Sequence, residues 1–311
     1  MAAHLPLVSQ RLIVVTGKGG VGKTAVTAAL ARVLADAGRR TLAVEVGHGR
    51  LGALLGGPAL GRDPVRIHPG LSAASIDAAE ALADFVLGVL RLKLFARRLL
   101  QSTTFQVLAA ALPGLPEFLV LHTLAAWLDE RRLGRSAWDV VIVDAPASGH
   151  SLPLLSAPRT LRPLAPFGPF ATTLARLDRL LGDPATTLVC LVTAPEEFAV
   201  RETVELHREL ARLRLAVAPP IVNAVPPQQR FRRGDEECLR ELEATEGAHP
   251  HVEAARFERV WSRAAAAQIA ALRRALGAPA LTLPFLFGGP EAPGGIERLA
   301  DELRAAIRRA A

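Results

Sequence analysis

Tyrosine is absent from this 311-residue chain, methionine occurs once, cysteine twice and lysine three times. Two cysteines, Cys190 and Cys238, exclude a disulfide framework and leave no C-x-x-C metal pair. Cys190 lies in the apolar run 187–192 and reads as a core residue. A reducing, cytoplasmic setting is expected. No uninterrupted apolar run reaches the roughly 18 residues of a membrane span. The greasiest region, 81–121, is broken by Arg91, Lys93, Arg97, Arg98 and Gln101. Residues 1–10 lack the positive start and long apolar centre of a secretory leader, so none is expected. No internal repeat is evident. The net charge of +7 would ordinarily invite nucleic acid or an anionic membrane. Here the composition is rich in Ala, Arg, Gly and Pro, as GC-rich coding produces. That source of arginine is sufficient, and nucleic acid is not an expected partner.

The scarce lysines are placed with purpose. Two of the three fall in Gly17-Lys18-Gly19-Gly20-Val21-Gly22-Lys23-Thr24, followed by Ala25. This fits G-x-x-x-x-G-K-S/T, a phosphate-binding loop. Residues 12–16 before it are apolar and β-branched, as in a buried strand. Residues 25–37 after it are rich in alanine and leucine, as in a helix. Strand, glycine loop and helix is the context the motif requires. The backbone can approach phosphates, and the helix N-terminus adds partial positive charge. Lys23 supplies a slim ammonium where a planar guanidinium fits less well.

Strand signals recur at 12–16, 41–46, 139–143, 187–193, 220–223 and 280–284, with helical stretches between them. That alternation predicts an α/β fold, a P-loop NTPase with a mostly parallel sheet flanked by helices. Ligands of such sheets bind at the carboxyl ends of the strands. About ninety residues separate 46 from 139, too many for one crossover. The chain therefore reads as one domain, 1–311, with an inserted helical subdomain. It is formed by approximately 72–136 and 151–185 and is expected to perch over the nucleotide edge. The last helix, 295–311, is amphipathic and is expected to pack on the sheet.

Trp138-Asp139-Val140-Val141-Ile142-Val143-Asp144 is an apolar strand ending in a carboxylate, the Walker B form. Asp144 is expected beside the loop, holding a water on Mg²⁺, with the Thr24 hydroxyl as a direct ligand.

Lys18 in K-G-G-V-G-K-T makes a deviant Walker A signature. The chain resembles the family of MinD, ParA, the nitrogenase iron protein and the ArsA-type ATPases. Residues 145–152, Ala-Pro-Ala-Ser-Gly-His-Ser-Leu, resemble D-T-A-P-T-G-H-T-L, the switch II segment of the ArsA and guided-entry ATPases. Val44-Glu45-Val46-Gly47-His48 falls where those proteins carry D-P-A-H in switch I. The resemblance implies ATP and Mg²⁺ as cofactors. It implies that Lys18 reaches a partner subunit's nucleotide, and that Glu45 orders Mg²⁺ and positions the attacking water. Glutamate replaces the family's aspartate there and is longer by one methylene. Thr193-Ala194-Pro195-Glu196 with Arg201-Glu202-Thr203 resembles P-E-x-x-x-x-x-E-T. It implies Glu196 as a nucleotide-side carboxylate and Glu202 as a helix-capping or bridging group. Asn223 corresponds to an adenine-reading asparagine. Pro284, Phe285 and Leu286 correspond to a loop that packs on adenine.

The resemblance implies a Mg²⁺-dependent ATP hydrolase whose dimer opens and closes to bind and release a protein client or membrane partner. A homodimer is the expected state, with a heterodimer with a paralogue as its alternative. An apolar segment of a membrane protein is the expected client type. Phe85, Leu87, Leu90, Leu94, Phe95 and Leu99 are candidates to line its groove. Two other readings stand beside it: a MinD- or ParA-like positioning ATPase, and a nucleotide-binding scaffold with little turnover. The guided-entry zinc clasp and the arsenite pump's cysteine cluster have no counterpart around Cys238. Neither a zinc clasp nor metalloid gating is expected.

Overall fold

Alternate residues along each apolar strand enter different cores, and this fixes the layers. The computed structural model describes residues 9–47, 49–89, 98, 100–103, 105, 107, 111–132, 134–227, 235–244 and 248–310. Its strands are β1 (Leu12–Thr16), β2 (Thr41–Val46), β3 (Val65–His68), β4 (Leu71–Ile76), β5 (Arg131–Arg132), β6 (Arg135–Ser136), β7 (Val140–Asp144), β8 (Thr187–Thr193), β9 (Ile221–Val225) and β10 (Leu281–Pro284). Its helices of four residues or more are α1 (Lys23–Asp36), α2 (Leu51–Leu54), α3 (Ala78–Val89), α4 (Leu115–Asp129), α5 (Ser148–Leu161), α6 (Gly168–Gly182), α7 (Glu197–Arg212), α8 (Asp235–Glu243), α9 (His249–Leu276) and α10 (Gly295–Ala310).

Eight strands form one sheet in the order β10-β9-β8-β1-β7-β2-β4-β3. Neighbours are parallel except for the antiparallel edge pair β3–β4. Ile13 and Val15 of β1, Val140 and Ile142 of β7 and Cys190 of β8 join α1 and α10 on one face. Leu12 and Val14, Val141 and Val143, and Val189 and Leu191 face α4, α5 and α6 on the other. Period-two alternation with both faces covered accounts for the nearly continuous apolar strands. Burial pushes the Cys190 thiol up to about 12. α10 buries Ile296, Leu299, Ala300 and Leu303 in the α1-side core, as its amphipathic pattern predicts.

Two expectations are corrected. The helical subdomain is expected from about position 72, yet Leu71–Ile76 is an interior strand, parallel to β2 and antiparallel to β3. Its sequence, LSAASI, is small and partly polar, so propensity hides it. Flat packing between two layers favours its small side chains. Helices α4, α5 and α6, expected in a subdomain over the nucleotide edge, pack on the sheet itself. They share a core with the sheet and form its second helical layer. Phe85 belongs to this layer. Its ring lies 5.2 Å from both Phe118 and His122 and 6.0 Å from Phe170. Leu87 is 37% exposed. Leu90, Leu94, Phe95 and Leu99 lie outside the described residues.

Candidate functional site

β1 and β7 are paired, with Val15 opposite Asp144, and β7 pairs β2 with Glu45 opposite Asp144. Parallel register therefore brings the loop after β1, the Walker B carboxylate and Glu45 to one edge. The loop requires glycine at two positions in particular. Gly17 has φ 151°, and a Cβ there would lie 2.0 Å from the Val192 carbonyl oxygen. Gly22 is left-handed at φ 86°, and a Cβ would lie 2.3 Å from Asn223 Nδ2. Gly22 also caps α1 without a side-chain bond, and no acidic residue occupies the first helical turn. That leaves an uncapped helix N-terminus, suited to an anion. Gly19 and Gly20 are exposed, whereas Val21 and Ala25 are buried.

Lys23 Nζ donates to the Lys18 carbonyl oxygen at 3.0 Å, curling back into its own loop. Burial lowers the Lys23 pKa, and the negative charges of Asp144 and Glu202 oppose that shift. Thr24 Oγ1 donates to Asp144 Oδ2 at 2.6 Å, and Thr27 Oγ1 to Oδ1 at 3.3 Å. Burial raises the Asp144 pKa. The Thr24 hydroxyl, Lys23 and Thr27 lower it, and Glu45 adds to the rise. A buried carboxylate in this state gains from a cation. Thr24 and Asp144 offer hard oxygen donors of the type Mg²⁺ takes, alongside waters and phosphate oxygens. Among the described residues no group of three His, Cys, Asp or Glu could cage a metal by itself.

Glu45 is 4% exposed and accepts the Leu51 amide at 2.9 Å on Oε2. It thereby ties down the entrance to α2. His48 lies outside the described residues. Asn223 Nδ2 donates to the Val21 carbonyl at 3.0 Å, so β9 is fastened to the loop. Pro284 lies opposite Val225, and the Phe285 amide donates to the Val225 carbonyl at 2.8 Å. Asn223 and the 284–286 loop thus occupy neighbouring strand ends. Leu286 packs against the α1-side core.

Glu196 and Glu202 of the 193–203 segment differ in what they touch. Glu196 is exposed at the start of α7 and makes no side-chain capping bond there. Glu202 stands against the loop, its Oε2 4.0 Å from Lys18 Nζ. Lys18 also lies 5.4 Å from the centre of the Phe198 ring, which is 71% exposed. On a helix starting at 197, residues 198 and 202 are one turn apart and share a face. That spacing is the signal that pairs Phe198 with Glu202. Thr27 was also missed, although its position three residues after Thr24 on α1 places both hydroxyls on one side.

The family model for anion-transporting ATPases matches residues 10–166, half of the chain. The chain belongs to that family. ATPase BagA of Mycobacterium tuberculosis is 31% identical over 222 residues, covering 68% of this chain and 64% of its own length. The arsenical pump-driving ATPase of Acidiphilium multivorum is 29% identical over 239 residues, covering 68% of this chain and 39% of its own. A namesake from Escherichia coli is 27% identical over 244 residues, covering 70% and 40%. This chain thus spans less than two thirds of the length of the curated relatives it matches. The matched span runs from β1 through α5 and contains Lys18, Lys23, Thr24, Glu45 and Asp144. No described helix is long and apolar enough to cross a membrane.

Proposed function

We propose that the chain hydrolyses ATP with Mg²⁺ at the edge formed by the P-loop, Glu45 and Asp144. The bond between Thr24 and Asp144 carries this reading. It joins the Walker A hydroxyl to the Walker B carboxylate. Phosphates would occupy the uncapped α1 terminus, with Lys23 turning from the Lys18 carbonyl toward the β- and γ-oxygens. Bound Mg²⁺ would neutralise phosphate charge, held by Thr24 directly and by Asp144 through water. Glu45 is the base candidate for orienting the attacking water. Asn223 and the 284–286 backbone would contact adenine, and Glu196 would approach the nucleotide from α7.

Lys18 is the residue for a partner subunit's nucleotide. Two copies closing on ATP and reopening after hydrolysis would bind and release a protein client or membrane partner. The cytoplasm is the proposed compartment. The Glu45–Leu51 bond favours a second reading, a nucleotide-binding scaffold with little turnover, because it occupies one carboxylate oxygen. Calorimetric titration with ATP and Mg²⁺ tests the site. Wild type should bind and Lys23→Ala should lose at least ~100-fold in affinity, a scale set by the loss of charge-assisted phosphate contacts. Equal affinities would remove the P-loop assignment. Light scattering with a non-hydrolysable analogue tests dimer closure, which Lys18→Ala should abolish while still binding nucleotide.

A further inference from the structure

A cavity of about 340 Å³ opens at the sheet edge opposite the P-loop. Its walls come from residues just before or at the start of β2, β4 and β7 and from the edge strand β3. Arg40, Arg66 and Arg132 line it, with His68, Ser72 and Trp138, and no carboxylate is among the lining residues. Two of the guanidinium groups are held from behind. Arg40 donates to Asp139 through Nε at 3.0 Å and Nη2 at 2.5 Å. Arg132 Nε donates to Glu130 Oε1 at 2.9 Å, and its guanidinium stacks 5.2 Å from the Trp138 ring centre. Trp138 is itself fixed by donation from Nε1 to Glu130 Oε2 at 3.1 Å. Arg66, on β3, makes no ion pair among the described residues.

The wall therefore presents one uncompensated guanidinium, two positioned ones with spare N–H groups, and a serine hydroxyl. Such an array suits an acceptor-only group with several oxygens and more than one negative charge. Planar guanidinium forks match phosphate geometry. The volume lies in the range of small-molecule sites. We propose that this cavity binds a phosphate monoester, separately from the nucleotide at the P-loop. Trp138, Pro64 and Leu71 provide an apolar wall for the ester group. Arg40 immediately precedes β2 and Trp138 lies two residues before β7, the strands that carry Glu45 and Asp144 toward their other ends, so an occupant would sit at the opposite ends of the two strands that shape the nucleotide edge.

The test is calorimetric titration of the full chain with phenyl phosphate and, in parallel, with inorganic phosphate. Wild type should bind phenyl phosphate saturably, and more tightly than inorganic phosphate. Arg66→Ala should weaken binding about tenfold, the scale of one charge-assisted phosphate contact. Lys23→Ala should leave it unchanged, since a P-loop-bound ester would depend on Lys23 instead. Arg135→Ala, outside the lining, should also leave it unchanged. Sedimentation with phosphatidic acid vesicles forms a second arm. Arg66-dependent vesicle binding without binding of the soluble ester would identify a lipid headgroup as the source of the same phosphate. The proposal is overturned by absence of saturable binding in both arms, by dependence on Lys23 rather than Arg66, or by equal weakening in Arg66→Ala and Arg135→Ala.

Discussion

Glu45 accepts the Leu51 amide at 2.9 Å, so its buried carboxylate is engaged with the chain six residues ahead. A Cβ on Gly49 would come within 2.7 Å of the same Oε2. The longer side chain thus fits a pocket closed by its own loop. If it orients water, Glu45→Gln keeps ATP affinity and loses turnover by roughly 10²-fold, the usual scale for a positioned base. Glu45→Asp shortens the side chain by one methylene and frees Leu51. It should retain turnover or raise it. Single-turnover phosphate release measures both. Unchanged turnover in both variants would make Glu45 a structural tie for α2 alone.

Lys18 rests between the Phe198 ring and Glu202. Glu202 also offsets part of the positive potential at Lys23. Removing that charge with Glu202→Gln should tighten ATP binding by about threefold, a modest effect because the pair is partly exposed. Calorimetry at two salt concentrations reads it, and the gain should shrink at high salt. Weaker binding in Glu202→Gln would mean that Glu202 supports the nucleotide instead of competing with it.

Gly17→Ala places a methyl against the Val192 carbonyl, a backbone atom that cannot swing away. The expected loss is about 3 kcal/mol of stability, from overpacking and strain together. Gly20→Ala meets nothing within 4 Å, although its φ is positive, so its loss should be smaller. Denaturant melts of the two variants give the comparison. Equal stability would contradict the tight β1–β8 approach at Gly17.

Asp144 yields a pH prediction. Its native pKa is raised above the ordinary aspartate value, chiefly by burial. The native state therefore holds its proton longer than the unfolded chain. Stability is lost as pH rises from the ordinary value of about 3.9 through the raised native one. Without nucleotide, Asp144→Asn should melt higher than wild type at pH 7, and the advantage should shrink as pH falls through that window. Adding Mg²⁺ and ATP should stabilise wild type more than the variant. Thermal melts across pH and ligand check this. A variant that melts lower than wild type at pH 7 would show that the Thr24 and Thr27 bonds outweigh the desolvation of the carboxylate.

The P-loop and six of the sheet's eight strands, the Walker B strand among them, were legible as apolar β-branched runs, several of which end in motif residues. Cys190 was legible as core for the same reason. β3 and β4 were not. Val65–His68 is short and carries Arg66, and Leu71–Ile76 is built of Ser and Ala, so neither shows strand propensity. The place of α4–α6 also escaped, because helical periodicity reveals an apolar face but not which layer it covers. At the site, the contact of Glu202 with Lys18 was not legible. Glu196 and Glu202 are glutamates near one helix start, and only the three-dimensional turn from Phe198 brings Glu202 to Lys18. The arginine cavity lies wholly in tertiary contacts, since Arg40, Arg66 and Arg132 are far apart in sequence.

Steady-state phosphate release from ATP tests the central claim most directly. Wild type with Mg²⁺ should release phosphate well above the buffer background, and EDTA should abolish it. Lys23→Ala and Asp144→Asn should each lose at least about 10²-fold, since each removes a group aimed at the transferring phosphate or its metal. Turnover that persists in Lys23→Ala, or that is indifferent to Mg²⁺, would contradict the assignment of this edge as the hydrolytic site.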